Sequence, residues 1–170
     1  RSHNVNGFNS SKDFLYQSCG NQDFSILALQ EHWLRPACRR IKGVDQLKVL
    51  HPNYDAYGVS AMDRPTESTI MKGRPYGGTG FIFDKCLSAS LHACVNLRHP
   101  RVSVLELCTA KFDLLLINAY MPFFNTSCIN DQLSKYRETL AFIEDTMSNY
   151  PTHKFVLLMD MNCDLHNTTH

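Results

Sequence analysis

No apolar run in this sequence approaches the ~18 residues that a membrane-spanning helix requires, so no bilayer partner is expected. Charge of one sign is missing too. The formal net charge is +1, so charge by itself argues for no nucleic-acid partner. The seven cysteines, at 19, 38, 86, 94, 108, 128 and 163, never form a C-x-x-C pair. An odd, scattered set speaks against a disulfide frame or a zinc site and for buried, reduced thiols in the cytoplasm or nucleus. No signal-peptide pattern opens the chain, so the N-x-S/T sequons at Asn9, Asn125 and Asn167 carry no expectation of glycosylation. Internal repeats, low-complexity tracts and linkers are absent as well, and nothing argues for an oligomer.

What is there is one domain's worth of chain, 170 residues of which 44% are hydrophobic, enough for a proper core. It opens on Arg1 rather than Met and ends at His170, a few residues past its last strand-like run. The expectation is an incomplete segment, the N-terminal portion of a longer domain.

That last run, Phe155-Val156-Leu157-Leu158-Met159, cannot alternate between core and water, which predicts a strand covered on both faces. Asp160 and Asn162 emerge from its C-terminal end, two apart and therefore on one side. In an α/β sheet that end is where ligands collect. Upstream, residues 3–7 end a first strand at Gly7. Ser10 or Ser11 caps a short helix running through Cys19, with Gly20 as its stop. Phe24 to Gln30 is a second strand, and Glu31 follows it directly.

Residues 35–71 are the least legible: a basic cluster (Arg35, Arg39, Arg40, Lys42), a short helix near Val44 to Leu50 and a strand near Ala56 to Ala61. Ser60 to Arg74 reads as a surface loop. Gly77-Gly78-Thr79-Gly80 enters the strand Phe81-Ile82-Phe83; without the lysine and hydroxyl of a P-loop, close backbone packing is favoured over a phosphate cradle. Leu87 to Val95, Val102 to Thr109 and Phe112 to Ala119 read as strands, the last two a hairpin turning near Lys111, with Leu114 to Ile117 covered on both faces. From about Ser127 to Asn149 the period lengthens. Ile129, Leu133, Tyr136, Leu140, Ile143 and Met147 mark one face of a helix, with N-caps available at Asn125 to Ser127 and a stop at Pro151. Two packed sheets flanked by helices follow.

Four strand ends thus deliver polar groups: Asn4 and Asn6, Glu31, Tyr120, and Asp160 with Asn162. Glu31 and Asp160 are hard oxygen donors suited to Mg²⁺. The asparagines can hold a phosphate oxygen or a water without adding charge, and Tyr120 can donate its phenolic proton to the same phosphate. Each has a plainer reading: Glu31 as a turn cap, Asn6-Gly7 as a turn pair, Tyr120 as a core aromatic. Asp160-Met161-Asn162-Cys163-Asp164 mimics an EF-hand opening, but Leu165 stands where glycine is needed and a strand precedes it. His166 and His170 lack a third ligand and read as solvated.

The order Asn4-Val5-Asn6-Gly7, Leu29-Gln30-Glu31-His32-Trp33, Gly78-Thr79-Gly80-Phe81, Ile117-Asn118-Ala119-Tyr120-Met121-Pro122 and Asp160-Met161-Asn162 resembles the endonuclease/exonuclease/phosphatase superfamily across essentially the whole chain. Asn6, where the apurinic/apyrimidinic repair enzymes carry an acid, and Gln30 to Trp33 are similar to the endonuclease domains of LINE-type (non-LTR) retrotransposons. The resemblance implies a four-layered α/β sandwich that hydrolyses phosphoesters with a divalent cation, usually Mg²⁺ and alternatively Mn²⁺. It implies Glu31 as main metal ligand, helped by Asn4 or Asn6, and Tyr120 on the scissile phosphate. Asp160 would orient or deprotonate the attacking water, with Asn162 holding that water or a phosphate oxygen. The implied substrate is DNA, nicked to expose a 3′-hydroxyl for a reverse transcriptase in the same polyprotein.

The chain departs from the family at two points. Met159 and Met161 stand where the family often has Gly and Phe of Gly-Asp-Phe-Asn, and the chain stops before the later strands on which the family places a further acid and a Ser-Asp-His motif. The missing strands predict an apolar sheet edge left unpaired, and weak folding and activity for this segment alone. The alternatives are a phosphoesterase of RNA, lipid or inositol phosphate, and a decayed, non-catalytic remnant. Target preference has no legible code in the loops 35–42, 60–74 and 123–128.

Overall fold

The computed structural model describes residues 1–37, 43–62, 76–94, 97, 99–123 and 129–162. Outside them lie Arg39, Arg40 and Lys42 of the basic cluster, most of the 60–74 loop, the 124–128 segment with its candidate helix caps, the C-terminal histidines, the sequons at Asn125 and Asn167, and Cys38, Cys128 and Cys163.

Two four-stranded sheets make the frame. The first, in the order β1-β2-β4-β3, is built from β1 (Ser2–Asn4), β2 (Ile26–Gln30), β3 (Tyr54–Val59) and β4 (Thr79–Asp84). The second, in the order β5-β6-β7-β8, comprises β5 (Leu91–Ala93), β6 (Val102–Cys108), β7 (Asp113–Tyr120) and β8 (Lys154–Asp160). β1 runs parallel to β2 and β7 parallel to β8; the other pairings are antiparallel. Helix α1 (Phe8–Gly20) connects β1 to β2, and α2 (Ile129–Asn149) carries the chain from β7 to β8. Short 3₁₀ segments occupy Gly43–Val49 and Lys85–Leu87.

The side-chain alternation of the strands explains the four layers. In β2, Leu27 and Leu29 pack with Phe8, Leu15 and Cys19 of α1, while Ala28 faces the second sheet beside Phe81, Leu105 and Leu116. In β7, Leu116 joins that inter-sheet core, whereas Leu115, Ile117 and Ala119 meet Ile143 of α2. A strand buried on both faces reads as a continuous apolar run, as Leu114 to Ile117 does. The order is therefore helix, sheet, sheet, helix.

Several expectations change. α1 begins at Phe8 with Gly7 as its cap, not at Ser10 or Ser11, and runs through Gly20. Those serines sit inside the first turn and their hydroxyls donate backwards, Ser10 to Gly7 O (2.7 Å) and Ser11 to Val5 O (2.7 Å). The Leu87 to Val95 strand shrinks to Leu91–Ala93, its start taken by a 3₁₀ turn that Asp84 caps through the Cys86 N–H. On α2 the buried positions are Thr139, Ile143 and Thr146, and Ile129 and Leu140 are exposed. Thr139 tolerates burial because its hydroxyl donates to Lys135 O (2.8 Å). Of the described cysteines Cys19 is buried and Cys86 exposed, and all four are free.

The largest departure is β8. Among the described residues it is an edge strand, with Val156 38% and Leu157 47% exposed, so it is not covered on both faces. Its length and apolar character match an interior strand, but only β7 flanks it. Among the described residues the outer edge of β8 is bare and apolar.

Candidate metal and phosphate site

The C-terminal ends of β1, β2, β7 and β8 meet at one end of the inter-sheet seam. Asn4 Nδ2, at the end of β1, donates to Glu31 Oε1 (3.2 Å) and to Asp160 Oδ2 (2.7 Å). Two carboxylates from different sheets therefore share a single amide donor. Asp160 is held again by the backbone N–H of Asn162, which donates to its Oδ1 (3.2 Å). The Asn162 side chain in turn donates to Met121 O (2.7 Å), tying the end of β8 to that of β7. The Tyr120 hydroxyl faces Glu31 and Asn162, and its pKa is pushed up to about 12, first by burial and then by the Glu31 carboxylate beside it. It stays a proton donor through neutral and mildly alkaline pH.

The turn carrying Glu31 is over-determined. Glu31 and Trp33 both hold positive φ, +56° and +55°, conformations that cost about 1–3 kcal/mol each for ordinary residues. Backbone bonds pin the turn in place: Gly7 N to Glu31 O (2.8 Å), Phe8 N to His32 O (2.9 Å) and Trp33 N to Gly77 O (2.9 Å). Two glycines make room for its rings. A Cβ on Gly78 (φ +87°) would stand 2.3 Å from the His32 ring, and one on Gly7 (φ +101°) 2.6 Å from that of Trp33. The glycine cluster thus serves close packing, Gly78 against His32, Gly77 against Ala61 and Gly80 against the Tyr57 carbonyl.

Below the site the two sheets are stapled. Gln30 Nε2 donates to Asn118 Oδ1 (2.6 Å), and Asn118 Nδ2 donates to Leu29 O (2.9 Å) and Gly80 O (2.8 Å), all buried. Gln30 directly precedes Glu31 and Asn118 lies two before Tyr120, so the staple sets the spacing of the residues above it.

Of the residues singled out from sequence, Asn4, Glu31, Tyr120, Asp160 and Asn162 come together in this cluster. Asn6 joins through its backbone, its N–H donating to Asn4 Oδ1 (3.0 Å), and it lines an adjoining hollow with Gly7, Ser10 and Trp33. Sequence reasoning missed Arg101, whose guanidinium lies 5.7 Å from the centre of the Tyr120 ring and borders a hollow of about 200 Å³ with Tyr76, His99 and Lys135. The hairpin register holds the signal: Val102 pairs with Ala119, and Tyr120 N donates to Arg101 O (3.0 Å). Trp33 and the Gln30–Asn118 staple were also missed as site-builders; they lie inside the motifs but carry no obvious chemistry.

The donor set suits a hard divalent cation. It offers carboxylate oxygens and the Asn162 amide oxygen without thiol or imidazole, while Asn4 turns its NH2 to the carboxylates and its oxygen to the Asn6 N–H. Among the described residues no three His, Cys, Asp or Glu side chains converge, so a protein-only cage is not built. A cation here would complete its shell with water and substrate oxygens, as Mg²⁺ and Mn²⁺ commonly do. Among the described residues, no helix is long and apolar enough to cross a membrane.

No protein-family model and no curated protein sequence matches the chain. Solved structures do. The catalytic domain of Xenopus laevis APE2 superposes with a TM-score of 0.66 at 15% identity, covering 99% of this chain and 62% of that one. The 3′–5′ exonuclease NExo of Neisseria meningitidis gives 0.60 at 17%, covering 95% and 56%. The endonuclease domain of TRAS1, a telomere-specific non-LTR retrotransposon, gives 0.57 at 13%, covering 96% and 58%. The chain therefore has the α/β sandwich fold of the endonuclease/exonuclease/phosphatase superfamily and spans about three fifths of the length of these structures.

Proposed function

We propose that this chain carries the metal-dependent phosphodiester-cleaving site of a DNA-nicking endonuclease, of the kind borne by non-LTR retrotransposons beside a reverse transcriptase. One observation carries the reading: Glu31 Oε1 and Asp160 Oδ2 accept hydrogen bonds from the same amide nitrogen, although their strands belong to different sheets. Like charges brought that close in a polar cleft favour a cation between them. The motif order and the fold shared with the TRAS1 endonuclease domain support the DNA substrate.

In this reading Glu31 would be the main metal ligand, with Asn6 beside it, or Asn4 once its amide turns to present oxygen instead of the NH2 it now gives the carboxylates, and a cation held there would supply charge neutralisation at the phosphate. Asp160, its two oxygens oriented by Asn4 and the Asn162 N–H, takes the proton of the attacking water. The water oxygen bonds to phosphorus, the P–O3′ bond breaks, and the departing O3′ takes a proton from solvent, leaving a 3′-hydroxyl and a 5′-phosphate. Tyr120 donates to a non-bridging oxygen, and Asn162 holds that oxygen or the water. Arg101 adds a positive charge beside Tyr120 for the same strand.

The test is nicking of supercoiled plasmid in Mg²⁺ or Mn²⁺, by the chain alone and within a longer form spanning the whole domain. The longer form is expected to nick, the chain alone only weakly, and Glu31→Gln and Asp160→Asn each to reduce nicking at least about 10²-fold. A mannosyl-6-phosphatase of Bacteroides thetaiotaomicron shares the fold, with a TM-score of 0.58 at 15% identity. It favours one second reading, a phosphomonoesterase. Hydrolysis of small phosphomonoesters with intact plasmid would select it.

A further inference from the structure

Trp33 is the only tryptophan in the chain. Its indole N–H donates to Glu31 Oε2 (3.3 Å), while Asn4 Nδ2 donates to Oε1 (3.2 Å). The donors reach opposite oxygens of one carboxylate. The terminal torsion of glutamate is broad and roughly two-fold, so a single donor leaves the carboxylate plane free to rotate, and two fix it. Oε1 is thereby turned toward the Asn4 amide that it shares with Asp160.

The indole is firmly seated. Its backbone N–H is bonded to Gly77 O, and its six-membered ring lies against Gly7, where even a methyl group would not fit. Packing on Gly7 needs only an aromatic ring. The bond to Glu31 needs the indole N–H.

We infer that Trp33 is a positioning residue for Glu31, its N–H holding the carboxylate in the rotation that presents Oε1 to the cation. This rests on the proposed metal-dependent function and deepens it by assigning the group that orients the main ligand. Partners that hydrogen-bond a metal ligand commonly govern 10- to 100-fold in metal affinity.

The experiment is Mn²⁺ titration of the substrate-free chain, with free ion followed by electron paramagnetic resonance, in the wild type, Trp33→Phe and Glu31→Gln. Phenylalanine keeps a ring on Gly7 and removes the N–H. Trp33→Phe is expected to bind Mn²⁺ about 10- to 100-fold more weakly, and Glu31→Gln more weakly still. Should Trp33→Phe unfold, replacement of the sole tryptophan by 3-benzothienylalanine, with sulfur in place of N–H, tests the same bond at unchanged shape. Either variant binding within twofold of wild type, while Glu31→Gln loses the ion, overturns the role of Trp33 and leaves the metal site standing. Wild type and Glu31→Gln binding alike would remove the metal site and this inference with it.

Discussion

His32 shows how one side chain can set the conditions under which the site exists. It is fully buried directly after Glu31. Its Nδ1 accepts the Leu34 N–H (2.9 Å) and its Nε2 lies 3.0 Å from Val59 O, a pairing that calls for the neutral ring with its proton on Nε2. Burial lowers its pKa to about 4, from 6.5. The unfolded chain therefore binds a proton between pH 6.5 and 4 that the folded chain refuses. Stability from this residue is complete above the unfolded value and falls as pH drops through the window, by on the order of 3 kcal/mol at its lower end. His32→Gln is expected to be less stable than wild type at pH 7 and to lose less on acidification to pH 4. Denaturant midpoints across that range measure the difference. Parallel profiles would mean that His32 is not the group that titrates.

At the scale of elements, the sheets are registered on each other by Gln30 and Asn118. Asn118→Leu removes the acceptor of Gln30 and leaves the buried carbonyls of Leu29 and Gly80 without their amide donor. The expected cost is on the order of 2–4 kcal/mol, read as a fall in denaturant midpoint. Adding Gln30→Leu takes away a second buried amide rather than stranding it, so the double variant is expected to lose clearly less than the two singles together. Additive losses would show the two amides to be independent.

The elements around this staple differ in how visible they are in sequence. The β6–β7 hairpin is legible because alternation and a tight turn are local signals, and the strand-end residues are legible because polar groups ending apolar runs stand out. The start of α1 is not, since Ser10 and Ser11 look like caps and only tertiary packing makes them donate backwards. The face of α2 is legible only in part: Ile143 and Met147 of the expected stripe pack on the second sheet, but Thr139 and Thr146 are buried beside them while Ile129 and Leu140 are exposed. Trp33 joins the site through its bond to Glu31 two residues back and its packing on distant Gly7, and Arg101 through the register of the hairpin with Tyr120; periodicity encodes neither.

At the scale of the whole molecule, the sandwich is closed along its seam and open at β8. Val156 and Leu157 point to opposite faces of that strand and both are exposed. An exposed apolar edge strand invites pairing with other chains. If the chain is the N-terminal portion of a domain whose later elements cover this edge, the same residue has two environments. In the chain alone, Leu157→Lys replaces an exposed side chain and is expected to change stability by no more than about 0.5 kcal/mol, while light scattering reports less aggregation. In a form carrying the remainder of the domain, the ammonium would be forced under cover and the loss is expected to exceed about 2 kcal/mol. Denaturant midpoints of both forms, with and without the substitution, separate the cases. Equal tolerance in both would leave β8 a true edge of the complete domain. A large loss already in the chain alone would mean that β8 is covered in solution, by another copy or by residues outside those described. The difference between the two forms is thus a direct measure of whether this sheet continues beyond β8.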